Sequence, residues 1–180
     1  MNVIAISGHA RSGKDTTASI MVRRLEHAGK RVLVTHYADL LKYICKTFLG
    51  WNGLKDERGR HILQYVGTDV VRKKDEDFWV RFVLTMIDFF GENWDVVVIP
   101  DVRFPNEVNL LSEAGHNVTH IRVVRDENSS LTDEQKQHSS EVALDQVEPD
   151  YYVVNNGTIA DLDVAVSGLL EEINYGGKQR

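Results

Sequence analysis

The 180-residue chain has a single cysteine, Cys45. One thiol cannot close an internal disulfide, so a reducing compartment such as the cytoplasm is expected. Beside Ile44, Cys45 reads as a packing residue. No apolar run approaches the roughly 18 residues a membrane span needs, and no basic region precedes the first apolar run, so neither a membrane segment nor a cleavable leader is expected. Excess positive charge is lacking as well. With 21 Lys and Arg against 27 Asp and Glu, the net charge is −6, which speaks against bulk binding of nucleic acid or a membrane surface but leaves room for a local basic pocket. Repeats and low-complexity tracts are absent. Of seven histidines only His116 and His120 stand four apart, on a stretch that reads as strand, so no zinc site is expected.

What is present alternates. Short β-rich runs at 2–7, 31–36, 94–100, 117–124 and 150–155 are separated by helical patterns at about 16–28, 38–48, 57–91 with a break near Gly67, 105–115 and 159–173. This alternation predicts one α/β domain with a parallel sheet covered by helices. The near-continuous Val and Ile of "DVVVIP" suit a strand buried on both faces. The polar stretch 125–150 sits between two strands, and so long a connection in a compact domain reads as a lid or a loose loop.

One further absence frames the function. "SGHARSGKDTT" (7–17) has Gly8, then Gly13 and Lys14, but Asp15 stands where a phosphate-gripping loop has Ser or Thr. The context still fits: a strand runs into Gly8 and a helix opens after Lys14. Backbone N–H groups and the helix dipole would hold an anion, and Lys14 would reach the β- and γ-phosphates. Asp15 has two readings, a first-turn acid favourable to the dipole, or, with Thr16 following, a contact to hydrated Mg²⁺.

Other motifs also carry two readings each. Asp101 falls at the carboxyl edge of a buried strand, where α/β sheets bind ligands, and could hold Mg²⁺ through water; Arg103 offers a guanidinium fork for phosphate. The alternative is an Asp101–Arg103 or Arg103–Glu107 ion pair. Asp39 reads as a helix N-cap. Gly67-Thr68-Asp69 reads as a turn, with Arg72 paired to Asp69 one helical turn on. Tyr43, Tyr65, Phe78 and Trp79 could stack a base or simply fill the core. Arg122 and Arg125 bracket the lid entrance. His138 and Glu141 flank a Ser-Ser pair that could cap a helix. Asn156-Gly157 makes a tight turn and Thr158 a cap.

Taken in order, "SGKDT", "YADLLK", "QYVGTD", "PDVRFPNE", "HSSE" and "NNGTIADL" resemble the phage-type deoxynucleoside monophosphate kinases, over residues 3 to about 166; "DVRFPNE" is the most specific piece. The Lys-Asp-Thr variation also occurs in phosphomevalonate kinases. The resemblance implies a P-loop NTPase fold: a three-layer α/β/α sandwich on a five-stranded parallel sheet of order 2-3-1-4-5. It implies one kinase domain over 1–180, an acceptor-binding helical region at about 38–91 and a lid at about 126–149. ATP with Mg²⁺ would phosphorylate a deoxynucleoside monophosphate, and the family suggests a homodimer. Gly8, Ala10, Arg11, Ser12, Gly13, Lys14, Asp15 and Thr16 would hold the ATP phosphates, with Asn156, Gly157 and Thr158 under the adenine. Asp39, Lys42, Tyr65, Thr68, Arg72, Trp79, Arg103, Asn106, Glu107, His138 and Glu141 would lie around the acceptor, Arg72 as its phosphate clamp. Lys14, Asp101 and Arg125 would be catalytic, and Asp15, Thr16 and Asp101 would serve the metal. Two competitors remain at this stage: a kinase of another phosphorylated acceptor such as phosphomevalonate, and a non-catalytic ATPase or switch. The absence of an Asn-Lys-x-Asp guanine signature argues against a GTPase.

Overall fold

A computed structural model describes residues 1–126, 143 and 147–175 of the chain. The elements in chain order are β1 (Asn2–Ser7), α1 (Lys14–His27), β2 (Val32–Val34), α2 (Ala38–Phe48), α3 (Glu57–Gln64), a π-helical segment (Tyr65–Arg72), α4 (Phe78–Phe90), a short 3₁₀ turn (Gly91–Asn93), β3 (Val96–Val102), α5 (Asn106–Glu113), β4 (Asn117–Val124), β5 (Tyr151–Val154) and α6 (Ile159–Tyr175). The five strands form one parallel sheet of order β2-β3-β1-β4-β5, as expected. The chain winds out to β2 and β3, then reverses across β1 to β4 and β5. That reversal opens a crevice at the carboxyl edge beside β1.

Alternation along β1 builds two cores. Ile4 and Ile6 pack on one face with Met21 and Leu25 of α1 and Val166 and Leu170 of α6. Val3 and Ala5 pack on the other with Leu41 of α2, Val80 and Val83 of α4 and Leu111 of α5. A strand buried on both faces needs apolar residues at every position, hence the unbroken Val96–Ile99 run of β3. Each such side chain contributes about 1.5–3 kcal/mol of burial.

β3 reaches two residues further than its sequence suggested. Pro100 has no N–H for the ladder and reads as a strand terminator. Instead the register against β1 shifts there: Ala5 pairs with Ile99 but Ser7 with Val102. The irregularity absorbs the proline, β3 resumes, and Asp101 lies inside the strand rather than past it. Such bulges re-aim a side chain.

The break expected near Gly67 lies elsewhere. The π-helical segment runs through Gly67, and Lys73 N–H reaches back to the Thr68 carbonyl. Gly67 is there for close approach: a Cβ would stand 2.7 Å from Leu41 Cδ2. Its carbonyl accepts the Trp79 indole N–H at 3.1 Å. The helical run is interrupted at 75–77 instead, where Asp77 N–H bonds the Asp75 carboxylate.

Candidate active site

Every loop that leaves the carboxyl edge of the sheet carries residues singled out above. The loop after β1 is the first. Arg11 and Gly13 both have positive φ, 68° and 96°, so consecutive backbone N–H groups can turn toward one centre. Ser12 N–H bonds the His9 carbonyl at 3.1 Å, and Lys14 opens α1 with Gly13 at the N-cap position. An α_L arginine is uncommon and marks a turn held in shape by its surroundings. That support is visible. Asn155 donates its side-chain amide to the Ser12 carbonyl at 2.8 Å, and its own N–H bonds the Val124 carbonyl at 2.8 Å. Asn155 is buried; the sequence reading has it as the last residue of the strand expected at 150–155 and the first of "NNGTIADL", with no site role. Beneath the loop, Ser7 Oγ and His120 Nε2 lie 2.8 Å apart; burial, helped by Arg122, pulls the His120 pKa down to about 4, so this imidazole stays neutral near pH 7.

Gly13 tests this architecture. A Cβ there would lie 2.1 Å from Asn155 Nδ2, at a φ that L-residues rarely adopt. Gly13→Ala therefore combines a clash with about 1–3 kcal/mol of backbone strain. At about 2–4 °C per kcal/mol for a chain of this size, that strain alone lowers the calorimetric midpoint by about 2–12 °C, and impaired ATP binding is expected with it. Gly29→Ala is the control: φ is 77° there too, but the added methyl meets open space. Equal losses for both would mean that the Asn155 contact does not shape the loop.

The metal-side donors are few. Asp15 and Thr16 are exposed in the first turn of α1, and Asp101 is half-buried. Among the described residues no three His, Cys, Asp or Glu gather into a metal cage. A small set of hard oxygen donors beside a phosphate loop suits Mg²⁺, which keeps several waters and takes phosphate oxygens.

Asp101 has a second task. Its two oxygens accept the Tyr37 and Ala38 N–H groups, each at 3.0 Å, and so cap α2 across the sheet edge. Burial raises its pKa against those two bonds. Asp39, expected as the cap, sits one residue inside the helix and reaches back to the His36 N–H at 3.0 Å. Its other oxygen pairs with Lys42 at 3.1 Å. Burial works against ionisation of Asp39, but Lys42 and His36 together hold its pKa below the usual range.

Around the start of α5 the "DVRFPNE" residues converge on Arg72. Its guanidinium pairs not with Asp69 but with Glu107 Oε1 at 3.3 Å and Asn106 Oδ1 at 2.9 Å, and lies 3.7 Å over the Phe104 ring. Asn106 also donates to Asp77 Oδ1 at 2.7 Å and to the Glu76 carbonyl at 3.0 Å. Glu107 Oε2 accepts the Arg103 and Phe104 N–H groups at 2.6 and 3.1 Å. Tyr37 Oη donates to the Glu107 carbonyl at 2.5 Å. Burial pushes the Glu107 pKa up to about 7, against the pull of the Arg103 N–H and of Arg72. The Arg103 side chain and Thr68 are half-buried nearby in the chain.

The aromatics divide. Trp79 is a core residue, 4% exposed, edge-on to Phe78 at 4.9 Å, and presents no face to a substrate. The reason is the Gly67 carbonyl, which gives its indole N–H a buried partner. Tyr65 is exposed and stacked parallel with His61, centroids 6.3 Å apart.

On the far side of β1, Arg122 donates to the Val147 carbonyl at 2.9 Å, whereas Arg125 is exposed. Asp126 and Asn156 clasp each other: Asp126 N–H to Asn156 Oδ1 at 2.7 Å and Asn156 Nδ2 to Asp126 Oδ2 at 2.6 Å. The Asn156 amide thus joins the residue two past β4 to the loop after β5. Thr158 and Asp161 form a reciprocal cap at the start of α6: Thr158 N–H to Asp161 Oδ2 at 2.8 Å, and Asp161 N–H to Thr158 Oγ1 at 3.3 Å. Gly157 is exposed in the turn between them. His138 and Glu141 lie outside the described residues.

Comparison with known proteins bears on the family and the fold. The model of the deoxynucleotide monophosphate kinase family matches residues 45–166, which takes in the Arg72 cluster but not the glycine loop. A deoxynucleotide monophosphate kinase of Escherichia phage RB69 is 32% identical over 113 residues, covering 62% of this chain and 44% of that enzyme. An uncharacterized protein of Ictalurid herpesvirus 1, ORF77, is 31% identical over 93% of this chain and 69% of its own length. In structure, an APS kinase of Mycobacterium tuberculosis superposes with a TM-score of 0.53 over 94% of this chain and 96% of that one, at 14% identity, a likeness of fold. No helix among the described residues is long and apolar enough to cross a membrane. With its family match spanning most of the chain and a parallel sheet in P-loop kinase order, the chain belongs to the deoxynucleotide monophosphate kinase family.

Proposed function

We propose that this chain transfers the γ-phosphoryl group of ATP to a deoxynucleoside monophosphate, releasing ADP and the diphosphate. The observation that carries the reading is a juxtaposition. A loop with two α_L residues opens a helix at the centre of the sheet edge, and a buried guanidinium cluster lies two loops away on the same edge. The first suits a triphosphate, the second a phosphate acceptor.

An oxygen of the acceptor phosphate forms the new bond to the γ-phosphorus as the bond to the β–γ bridging oxygen breaks. Lys14 and the 8–16 N–H groups hold the chain of phosphates in line, and Ser12 Oγ, buried without a partner among the described residues, is one more donor for an anion. Asp15 and Thr16 would face hydrated Mg²⁺, with Asp101 reaching it only through water, because each of its oxygens already takes a backbone N–H. Bound there, Mg²⁺ would supply positive charge that offsets the charge on the phosphates. Arg72 keeps unengaged N–H donors beyond those given to Glu107 and Asn106, since a guanidinium carries five. Asp39, Lys42, Tyr65 and Arg103 line the acceptor side, Asn156 to Thr158 the adenine side. No covalent intermediate is needed; positioning and charge carry the rate. The 126–149 segment would close over the site and keep water from taking the phosphoryl group. The chain would work in the cytoplasm as one kinase domain, paired as a dimer.

An ADP-release assay over the four deoxynucleoside monophosphates, their ribose counterparts and phosphomevalonate tests the reading. Turnover on deoxynucleotides supports it. Turnover only on phosphomevalonate, or steady ATP hydrolysis indifferent to every acceptor, rejects it.

A further inference from the structure

Glu107 has a role distinct from substrate contact. The residue is 4% exposed, and both carboxylate oxygens are taken by protein: Oε2 by the Arg103 and Phe104 N–H groups, Oε1 by Arg72. Nothing of it is left to face a nucleotide. What it does face is the Arg72 guanidinium. Arg72 is held on three sides, by Glu107, by Asn106 Oδ1 and by the Phe104 ring. Asn106 in turn is anchored to Asp77 and the Glu76 carbonyl at the start of α4. A long, flexible arginine side chain is thereby fixed before any ligand arrives, and a group fixed in advance loses less freedom on binding.

The arrangement is an expensive one to keep for stability alone. A buried ion pair gains little over well-packed apolar residues, because desolvation consumes most of the attraction. The burial that drives the Glu107 pKa up to about 7 is the sign of that opposition. An arrangement of this kind makes sense where the guanidinium must be aimed.

We propose that Glu107 is a positioning residue, tying Arg72 to the 103–107 turn so that the guanidinium is pre-set for the acceptor phosphate. The inference rests on the reading of Arg72 as the acceptor clamp. Titratable groups that face Glu107 come from three elements: Arg72 from the π-helical segment, Asp101 from β3, and the neutral Tyr37 at the mouth of α2, with Glu76 and Asp77 flanking Arg72.

Glu107→Gln tests it with little change of shape. The glutamine must turn its N–H₂ either toward Arg72 or toward the two backbone N–H groups, so one of the two links fails. Loss of a supporting partner behind a binding group commonly weakens it by about 10–100-fold, and a rise of about tenfold in the acceptor KM is expected, with the ATP KM and the melting temperature little moved. In an Arg72→Ala background Glu107→Gln should add almost nothing, since the two act through one contact. If Arg72→Ala itself leaves the acceptor KM unchanged, the clamp reading falls and takes this inference with it. If Arg72→Ala raises the acceptor KM but Glu107→Gln moves only the melting temperature, or contributes its full factor in the Arg72→Ala background, the clamp stands and the positioning role is wrong.

Discussion

Lys14→Met reduces kcat/KM for phosphoryl transfer by about a thousandfold or more, the range set by loss of a group that stabilises charge in the transition state, while the protein melts where the parent does. The second half follows from position. Lys14 is the first residue of α1, half-exposed and outside both hydrophobic clusters. Methionine has similar length and helix propensity, so α1 is expected to form unchanged. The first half follows from charge. The N–H groups of residues 8–16 supply dipoles, but the only ammonium group on this loop is that of Lys14, and Asp15 beside it adds a negative charge to a site meant for anions. Without Lys14 the loop presents Asp15 to the triphosphate, with Arg11 as the remaining Lys or Arg of residues 8–16. Steady-state kinetics by ADP release, paired with a thermal melt, measures both halves. A variant retaining a tenth or more of parental kcat/KM would show that the triphosphate is not held at this loop.

That loop was legible because its logic is local: strand, glycines, lysine and helix follow within a few residues. The same holds for α2 and β4, whose observed limits of 38–48 and 117–124 match the expected ones, since period and composition change together at their ends. Locality failed where a partner lay far off in sequence. Pro100 predicts the end of a strand, yet β3 continues because β1 tolerates a register shift beside it. Edge strand β2 is shorter than "RVLVTH" suggests, because Arg31 is drawn to Asp95, which accepts both its N–H and its guanidinium. Gly67 looks like punctuation until Leu41 and Trp79 are seen against it.

The candidate site divides along the same line. Residue types at the sheet edge could be named from sequence, but their pairings could not. Arg72 has an acid one helical turn away in Asp69, the natural local partner, and takes Glu107 and Asn106 instead because α5 begins against it. Asp39 looked like the cap of α2, yet Asp101 supplies the cap from the strand opposite. Asn155 bonds a carbonyl 143 positions away and carried no signal of its own.

Arg125→Ala lowers kcat by about 10²–10³-fold, the effect of removing one group that meets charge developing on the transferring phosphoryl group, and leaves both KM values close to parental. The argument is one of placement. β4 runs beside β1 with Arg122 opposite Ser7, and the Val123 carbonyl backs the glycine loop at Gly8. Two residues on, Arg125 stands at the level of that loop. Its backbone is fixed on both sides: the Val124 carbonyl takes the Asn155 N–H, and Asp126 is clasped by Asn156. The side chain itself is exposed, so it is a cation on a fixed root beside the glycine loop. Arg122 is tied back instead, its guanidinium donating to the Val147 carbonyl at 2.9 Å. Arg122→Ala should therefore lower the melting temperature, by losing a tie between β4 and the chain entering β5, with a smaller effect on kcat. Single-turnover rates at saturating ATP and acceptor, measured for both variants, separate the two. If Arg122→Ala loses the chemical step and Arg125→Ala keeps it, the roles are reversed, and the Val147 contact would have to break before the phosphoryl group moves.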